Sequence, residues 1–440
     1  MMPSRILSSL ALLCAALPAG AQSLQSLLQK PLKQDPALIE ARANEAAAAE
    51  DTAIARAGHY PVVTVTGTQT LAQHHRYSSN RRRSFNPGLQ ATLNLYSWGG
   101  VDAKIEHSRH KQQFYRHKTA ETREEVGQTA GSLYLAALRA KELIQTARHN
   151  LKRHDRIIND LTIITRFDKG RQSELDQAYA RRMNVEAYLA EQNRNLELAL
   201  SRLGRYTGTR LSPESLQNPF AADTPDSLVK TYSRPDLGQL PSYRAQQAER
   251  DSVLAESRVR KASRYPSVNL IANASRDNRE IYVNLSWDAY NPASVHEVEK
   301  SAYTLVAAEA KMDQILNDSA ERSRSAEVDM RQSLKRARVA QQQTAAQKKV
   351  VKAYELQFKI ARRTLIDVLD AYSDLSNIEL TEISAQNDFR DAAWSYLAAQ
   401  GAVAKWAGVP EDNSPLPDKR PSHPVHNLLE KFPLTKKTAR

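Results

Sequence analysis

Past its first 21 residues the chain has no cysteine, the single one being Cys14. Disulfides, thiol catalysis and cysteine-ligated metals are therefore excluded from that part of the chain. Glycine is scarce at 14 in 440 residues, and phenylalanine scarcer at 7. After residue 21 no run of about 18 apolar residues occurs, and the mean hydropathy is −0.59. A bundle of transmembrane helices is excluded on that ground. Proline is missing from Val101 to Arg166, and again from Ala293 to Ala361. What is abundant instead is Ala, Gln, Glu, Arg and Leu, which favour helix. The formal net charge is +13, which suits an anionic partner such as lipid headgroups or nucleic acid. A chain of this length would ordinarily form two or three domains.

The opening "MMPSRILSSLALLCAALPAGAQS" carries Arg5, an apolar run from Ile6 to Leu17, and Ala19-Gly20-Ala21. This is the pattern of a secretory signal with a small-x-small site, expected to be cut after Ala21; a buried N-terminal helix is the alternative. Leu12-Leu13 precede Cys14, where a lipoprotein signal would place small residues. Export directs the basic balance toward envelope surfaces, and no nucleic-acid partner is expected.

Two stretches say nearly the same thing. "AIARAGHYPVVTV" and "RVRKASRYPSVNL" place Tyr60-Pro61 and Tyr265-Pro266 at an offset of 205 residues. The same offset carries Pro36 onto Pro241, Ala57 onto Ala262 and Val63 onto Val268. Proline lacks an amide proton and forces the residue before it into extended space, so each phrase marks a switch from helix to strand. In the first copy Leu89, Ala91, Leu93 and Leu95 alternate with Gln90, Thr92, Asn94 and Tyr96. In the second, Val268, Leu270, Ala272 and Ala274 are followed by Ile281, Val283, Leu285 and Trp287, with Asn269, Asn273, Asn284 and Ser286 opposite. Period-two alternation means one apolar and one polar face. Each copy then holds one hairpin, with strands long enough to cross a bilayer when tilted. Tyr60, Trp98, Tyr265 and Trp287 fall at the strand ends nearest the helices, where an interfacial aromatic belt would lie. Two soluble hairpins on an α+β domain are the competing reading.

The long proline-free segments favour the first. Val126, Leu133, Ala140 and Ala147 form one seven-residue series, and Ala130, Ala137, Ile144 and Leu151 the other. Sustained heptads rich in alanine predict coiled-coil packing at close approach. Each long helix is expected to be followed by a returning one, about 173–206 and about 364–406. The order is therefore helix, hairpin, long helix, tip and return helix, written twice: 22–210 with a hairpin at about 61–98 and a tip at about 167–176, then 241–409 with a hairpin at about 266–290 and a tip at about 358–371. Residues 211–240, rich in proline, link the copies, and 410–440 form a Pro- and Lys-rich tail expected to be disordered. Four strands cannot close a barrel, and open edges are not tolerated in lipid, so closure must come from other copies of the chain. Three copies would supply about twelve strands.

At "ARRTLIDVLDAYSDLSNIEL", 361–380, the sequence resembles the TolC family of outer-membrane efflux and secretion channels. Arg363, Thr364, Leu365, Asp367, Val368, Leu369, Asp370 and Ala371 match the family's tip pattern, and Phe167, Asp168, Gly170 and Asp176 match the first tip more loosely. "LYSWGG" looks like the family's strand-to-helix entry. The resemblance spans about residues 24–408. It implies a mainly α protomer with a small transmembrane β part, assembled as a homotrimer into a twelve-stranded barrel on a periplasmic α-helical tunnel. It further implies a passive conduit docked to a periplasmic adaptor and an inner-membrane efflux pump or type I secretion ATPase. The adaptor is expected at Gly170, Arg171, Ala361 and Arg362. Two of these depart from the pattern: Ala361 stands for the family's glycine, and Arg171 for an apolar residue. Asp367 and Asp370, tripled, would form acidic rings at the narrow end, selective for cations. By resemblance Arg363 would lock the gate by pairing with Asp176 on the neighbouring coil; ordinary surface charges are the alternative reading of all four.

No catalytic constellation stands out, and no enzyme, cofactor or metal is expected. His107, His110 and His117 share a helix face but read better as solvated than as ligands. Arg81-Arg82-Arg83, in the first hairpin loop, would face the exterior, either to meet lipopolysaccharide phosphates or as a plain solvated loop. The competing function is a periplasmic or outer-membrane coiled-coil scaffold or adaptor without a pore, which would have no need of the hairpins.

Overall fold

The computed structural model describes residues 23–69, 85–276, 278–360 and 362–409. Cys14 and the expected signal, Arg81–Arg83, Ala361 and the tail from Pro410 lie outside them, as does His74-His75, a loop pair that reads as a still weaker metal candidate than the three helical histidines.

Three helices open the chain: α1 (Leu24–Leu28), α2 (Pro31–Gln34) and α3 (Pro36–Ala57). Both prolines that interrupt the helical composition sit at a first helical position, where a missing amide costs nothing. Asp35 caps α3, its Oδ1 accepting from the Ala37 amide at 2.9 Å. Then come β1 (Val62–Gln69), β2 (Phe85–Tyr96), α4 (Gly100–Phe167) and α5 (Gln172–Thr207). A connecting segment holds the short α6 (Pro225–Tyr232). The second copy follows: α7 (Pro241–Ala262), β3 (Ser267–Ser275), β4 (Arg279–Ser286), α8 (Pro292–Lys359), α9 (Leu365–Ala399) and α10 (Val403–Trp406).

The long helices α4 and α8 have 68 residues each, roughly 100 Å at 1.5 Å per residue. Asn291-Pro292 starts α8: Asn291 is its N-cap and Pro292 its first residue. No helix among the described residues is long and apolar enough to cross a membrane.

The core lies where α4 meets the C-terminal helices, and two glycines of α4 make room for it. A Cβ on Gly131 would stand 2.1 Å from Cζ2 of Trp394, and one on Gly127 2.6 Å from Cγ1 of Val403. Trp394 donates Nε1–H to the Gln128 carbonyl at 2.9 Å and meets Trp406 edge-on at 5.4 Å. The connecting segment 211–240 folds onto this core, burying Leu216, Phe220 and Leu228. The heptad residues Val126, Ala130, Ala137, Ala140, Ile144 and Ala147 are buried, whereas Leu133 and Leu151 are only half-buried. The last return helix is shorter than its composition suggests. It ends at Ala399 because Gly401 turns the chain at φ +55°, and α10 restarts beyond it.

All four strands form one antiparallel sheet in the order β1-β2-β3-β4. Its register puts Val65 beside Leu89, Leu93 beside Leu270, Leu270 beside Val283 and Val268 beside Leu285 on one face. The other face carries Gln90, Asn94, Asn269, Asn273 and Asn284, with Asn94 donating to Asn269 at 3.0 Å. Ile271 and Tyr282 are apolar exceptions there. One expectation fails at the end of β2. The register slips between Asn94 and Tyr96, so Tyr96, rather than Leu95, continues the apolar row opposite Val268. A bulged residue drops out of the alternation.

Candidate functional site: the helical tips and the sheet rim

At the sheet's helical end the two Tyr-Pro phrases have one geometry. Tyr60 N–H donates to the Ala57 carbonyl at 2.9 Å, and Tyr265 N–H to the Ala262 carbonyl at 3.1 Å. Trp98 and Gly99 both take left-handed backbone, φ 54° and 75°, turning β2 into α4. Trp98 is held there by Nε1–H donation to the Pro266 carbonyl at 2.8 Å, and Trp287 donates likewise to the Arg264 carbonyl at 3.1 Å. Tyr96, Trp98 and Tyr265 stack in series at 5.2 and 5.1 Å. With Tyr60 and Trp287 they make an exposed aromatic rim.

The opposite end holds the tips. At the first, Asp168 Oδ1 accepts from the Gly170 amide at 3.0 Å and turns α4 into α5. At the second, Thr364 and Asp367 form a capping box at the start of α9: the Asp367 amide donates to Thr364 Oγ1 at 3.3 Å, and Asp367 Oδ2 accepts from the Thr364 amide at 3.0 Å. Hydrogen bonds from the Thr364 hydroxyl and amide hold the Asp367 carboxyl below its usual range. Leu365, Val368 and Leu369 are buried; Leu365 and Leu369 pack with Ile157, Ile158, Leu161 and Leu175 of the first copy. Much of the tip motif is thus accounted for as helix start and coil contact.

The charges remain. Arg363 stays within its own repeat: its guanidinium lies 4.4 Å above the Tyr354 ring, donates to Gln357 at 3.2 Å, and approaches Asp367 at 3.8 Å. Asp176 accepts from Gln172 at 3.1 Å. The two are therefore not brought together within a protomer. The cross-copy contact that is made was missed in the sequence: Arg181 of α5 donates to Asp370 of α9 at 2.7 Å and to Ser373 at 3.1 Å. No local signal marked it, since Arg182 follows directly and bonds Asp155 instead. Asp367 and Asp370 are accordingly engaged, one in capping and one in this pair, rather than presented side by side.

Arg171 bonds Glu174 at 2.8 Å and faces the Phe358 ring at 5.8 Å. Gly170 is exposed, and Arg362 donates its amide to the Gln357 carbonyl at 2.9 Å. Between them stand large apolar side chains with no cover: Phe167 is 89% exposed and Ile360 62%. Higher up, α4 and α9 are cross-linked by Arg153–Glu379 at 2.7 Å, Glu142–Arg390 at 2.7 Å, and Arg139–Asp388 at 2.6 Å. His154 is buried among charges, and burial together with Arg181 holds its imidazole below the usual value. His107 bonds Ser252 at 3.0 Å and His110 bonds Gln113 at 3.2 Å, so two of the three histidines on that face are engaged. Among the described residues no three metal-ligating side chains gather.

Residues 27–209 match the family described as Outer membrane efflux protein. The chain is 22% identical over 400 residues to Outer membrane protein TolC of Vibrio cholerae, covering 84% of this chain and 88% of that one. The fold matches the Campylobacter jejuni CmeC outer membrane channel with a TM-score of 0.73 at 15% identity, over 98% of this chain and 97% of that one. It matches the open state of the Neisseria gonorrhoeae MtrE outer membrane channel with a TM-score of 0.71 at 17% identity, over 86% and 89%.

Proposed function

We propose that this chain is an outer-membrane efflux protein of the TolC family and one protomer of a trimeric channel, a passive conduit from a periplasmic adaptor and an inner-membrane efflux pump or secretion ATPase to the exterior. The observation that carries the reading is the sheet. Its outer strands β1 and β4 each leave one edge unpaired, and all their residues are exposed. An apolar face with nothing packed on it, beside two open edges, is unstable both in water and in lipid. Joining β4 of one copy to β1 of the next removes the edges, and three copies give a barrel of about twelve strands with lipid outside. The rim of Tyr60, Trp98, Tyr265 and Trp287 would then lie at the periplasmic interface.

The tips are the gate and the adaptor surface in this reading. Arg181–Asp370 fastens the two coils within each protomer. Arg363 and Asp176, each bonded within its own repeat in a single protomer, would exchange those partners for each other across the seam between protomers. Asp367 and Asp370, repeated three times, would set cation preference at the mouth. The adaptor would seat on Gly170, Arg171, Ala361 and Arg362, with exposed Phe167 and Ile360 supplying apolar contact. The test is size in detergent together with conductance in planar bilayers. A trimer that conducts is expected; a monodisperse monomer that still conducted would overturn the reading.

A further inference from the structure

The duplicated Tyr-Pro phrase repeats charge as well as shape. The offset of 205 residues that joins Tyr60 to Tyr265 also carries Arg56 onto Lys261 and His59 onto Arg264. Arg56 and Lys261 lie in the last turns of α3 and α7, where a cation complements the helix dipole. The dipole does not call for a second cation directly before each rim tyrosine. Arg56, Lys261 and Arg264 are exposed, and among the described residues none of the three meets a carboxylate. Their neighbours are engaged: His59 bonds Asp102 at 3.1 Å, Arg258 bonds Glu106 at 2.6 Å, and Arg260 bonds Glu256 at 3.2 Å. Asp288, beside Trp287, is an acid of the same rim.

The fold turns these cations toward the apolar side of the sheet. Tyr96 continues the apolar row opposite Val268 and stacks on Trp98, which stacks on Tyr265. Tyr265 therefore sits at the apolar face. Helical turns run on past the end of α7, with Ser263 N–H donating to the Val259 carbonyl and Tyr265 N–H to the Ala262 carbonyl. Lys261, four residues before Tyr265, thus stands one turn from it on the same side. Trp287, which ends the apolar series of β4, holds the Arg264 backbone through that residue's carbonyl at 3.1 Å. Arg56 stands four residues before Tyr60 in the first copy, as Lys261 does before Tyr265 in the second. We propose that Arg56, Lys261 and Arg264 bind the phosphates of anionic phospholipids in the leaflet facing the periplasm. The proposal rests on the channel reading, which puts the aromatic rim at that interface. Tyr and Trp settle at headgroup level, and a cation one turn farther from the hydrocarbon, about 6 Å along the axis, reaches the phosphate layer. Guanidinium and ammonium groups pair there with phosphate oxygens, and three copies of the chain would repeat the three cations around the barrel.

The test uses delipidated full-length trimers in detergent, first shown to conduct in planar bilayers. They are given equal amounts of phosphatidylglycerol and phosphatidylcholine, and the lipids retained are counted by native mass spectrometry. Each Lys or Arg near an anionic surface strengthens attachment about fivefold. Wild type should therefore retain phosphatidylglycerol at least about fivefold over phosphatidylcholine. Arg56→Gln with Lys261→Gln and Arg264→Gln should bring the ratio close to one. Lys335→Gln with Lys349→Gln and Lys352→Gln, which removes as many exposed cations from α8 far from the rim, should keep the wild-type ratio. Conducting trimers that retain the two lipids equally would overturn the proposal and leave the channel reading standing. So would an unchanged ratio in the rim variant, or an equal fall in the α8 variant, which would reduce the preference to net charge. A chain that forms no conducting trimer would overturn the channel reading and this proposal with it.

Discussion

The Arg181–Asp370 pair can be removed with little collateral damage, and its worth can be worked out. The two side chains are 22% and 58% exposed, so water screens their 2.7 Å contact. An exposed ion pair is worth about 0.5–1 kcal/mol. One copy would change little. In a threefold assembly with a single concerted gate, three copies act on one equilibrium, and their loss shifts it by roughly 1.5–3 kcal/mol, on the order of ten- to a hundredfold in opening. Arg181→Ala and Asp370→Ala should each raise open probability or conductance in planar bilayers by that factor. The double variant should add little to either, because both remove one contact. Arg363→Ser and Asp176→Ala should show the same non-additivity with each other if those residues pair across the seam. They should add independently to Arg181→Ala. Unchanged opening in both Arg181→Ala and Asp370→Ala would refute the assignment of this pair as the strap between coils. Strict additivity within the Arg181–Asp370 double variant would refute it equally, since the two side chains would then be acting through separate partners.

Leu93→Arg and Leu285→Arg put a charge on the apolar face of the sheet and should cut trimer yield, at about 2–4 kcal/mol each near a bilayer midplane. Asn94→Arg, on the opposite face, should be milder, and equal yields for all three would contradict the facing. Gly131→Ala places a methyl 2.1 Å from the Trp394 ring, so it should lower the melting temperature of the helical signal by the equivalent of about 1–3 kcal/mol of overpacking. Burial, and then Arg181, hold the His154 imidazole below its ordinary value in the folded chain, so the unfolded chain binds the extra proton first. Its contribution to stability is therefore fully present above about pH 6.5 and is lost as pH falls below that value, levelling off only once the folded-state imidazole also protonates. The groups around it are Arg181 and Arg182 of α5 and Arg153 and Asp155 of α4, three cations against one acid. Melting followed between pH 7.5 and about 5 should show this slope, and His154→Gln should flatten it.

The sheet was legible in the sequence because its two faces meet different surroundings. Alternation at Leu89–Asn94 and at Val268–Leu285 needs no knowledge of what lies across the strand. The bulge at Leu95 was not legible, because it depends on a neighbour strand displaced by one residue. The long helices were legible from missing proline, and their heptads from alanine. The break at Gly401 was masked by helix-favouring residues on both sides of it. The tip charges were the hardest to place. Asp370 and Arg181 are separated by 189 residues, and no local pattern selects Arg181 over Arg182, which instead bonds Asp155 at 2.7 Å. A pairing between coils is a fact of their rotation about each other, which a single periodic sequence does not contain.

The tip motif shows how a conduit divides labour among residues that look alike in the sequence. Thr364 and Asp367 start a helix; Leu365, Val368 and Leu369 bury its first two turns. Any long coiled coil that turns sharply needs such residues, whatever it does. What the motif holds beyond that is Arg363, Asp370 and the exposed apolar pair beside them, Phe167 and Ile360. Two of these four, the apolar side chains facing water, do not improve the fold of one protomer, and the two charges add little to it: Asp370 is held by a screened contact, and Arg363 is laid on Tyr354. Groups that cost a protomer stability are kept where a second surface meets them. In the channel proposed above, that surface would be the neighbouring coil for the charges and an adaptor for the apolar pair. Phe167→Ser with Ile360→Ser should therefore leave melting unchanged or raise it, while weakening capture of the adaptor. A loss of melting temperature without loss of capture would place these side chains in the protomer's own packing instead.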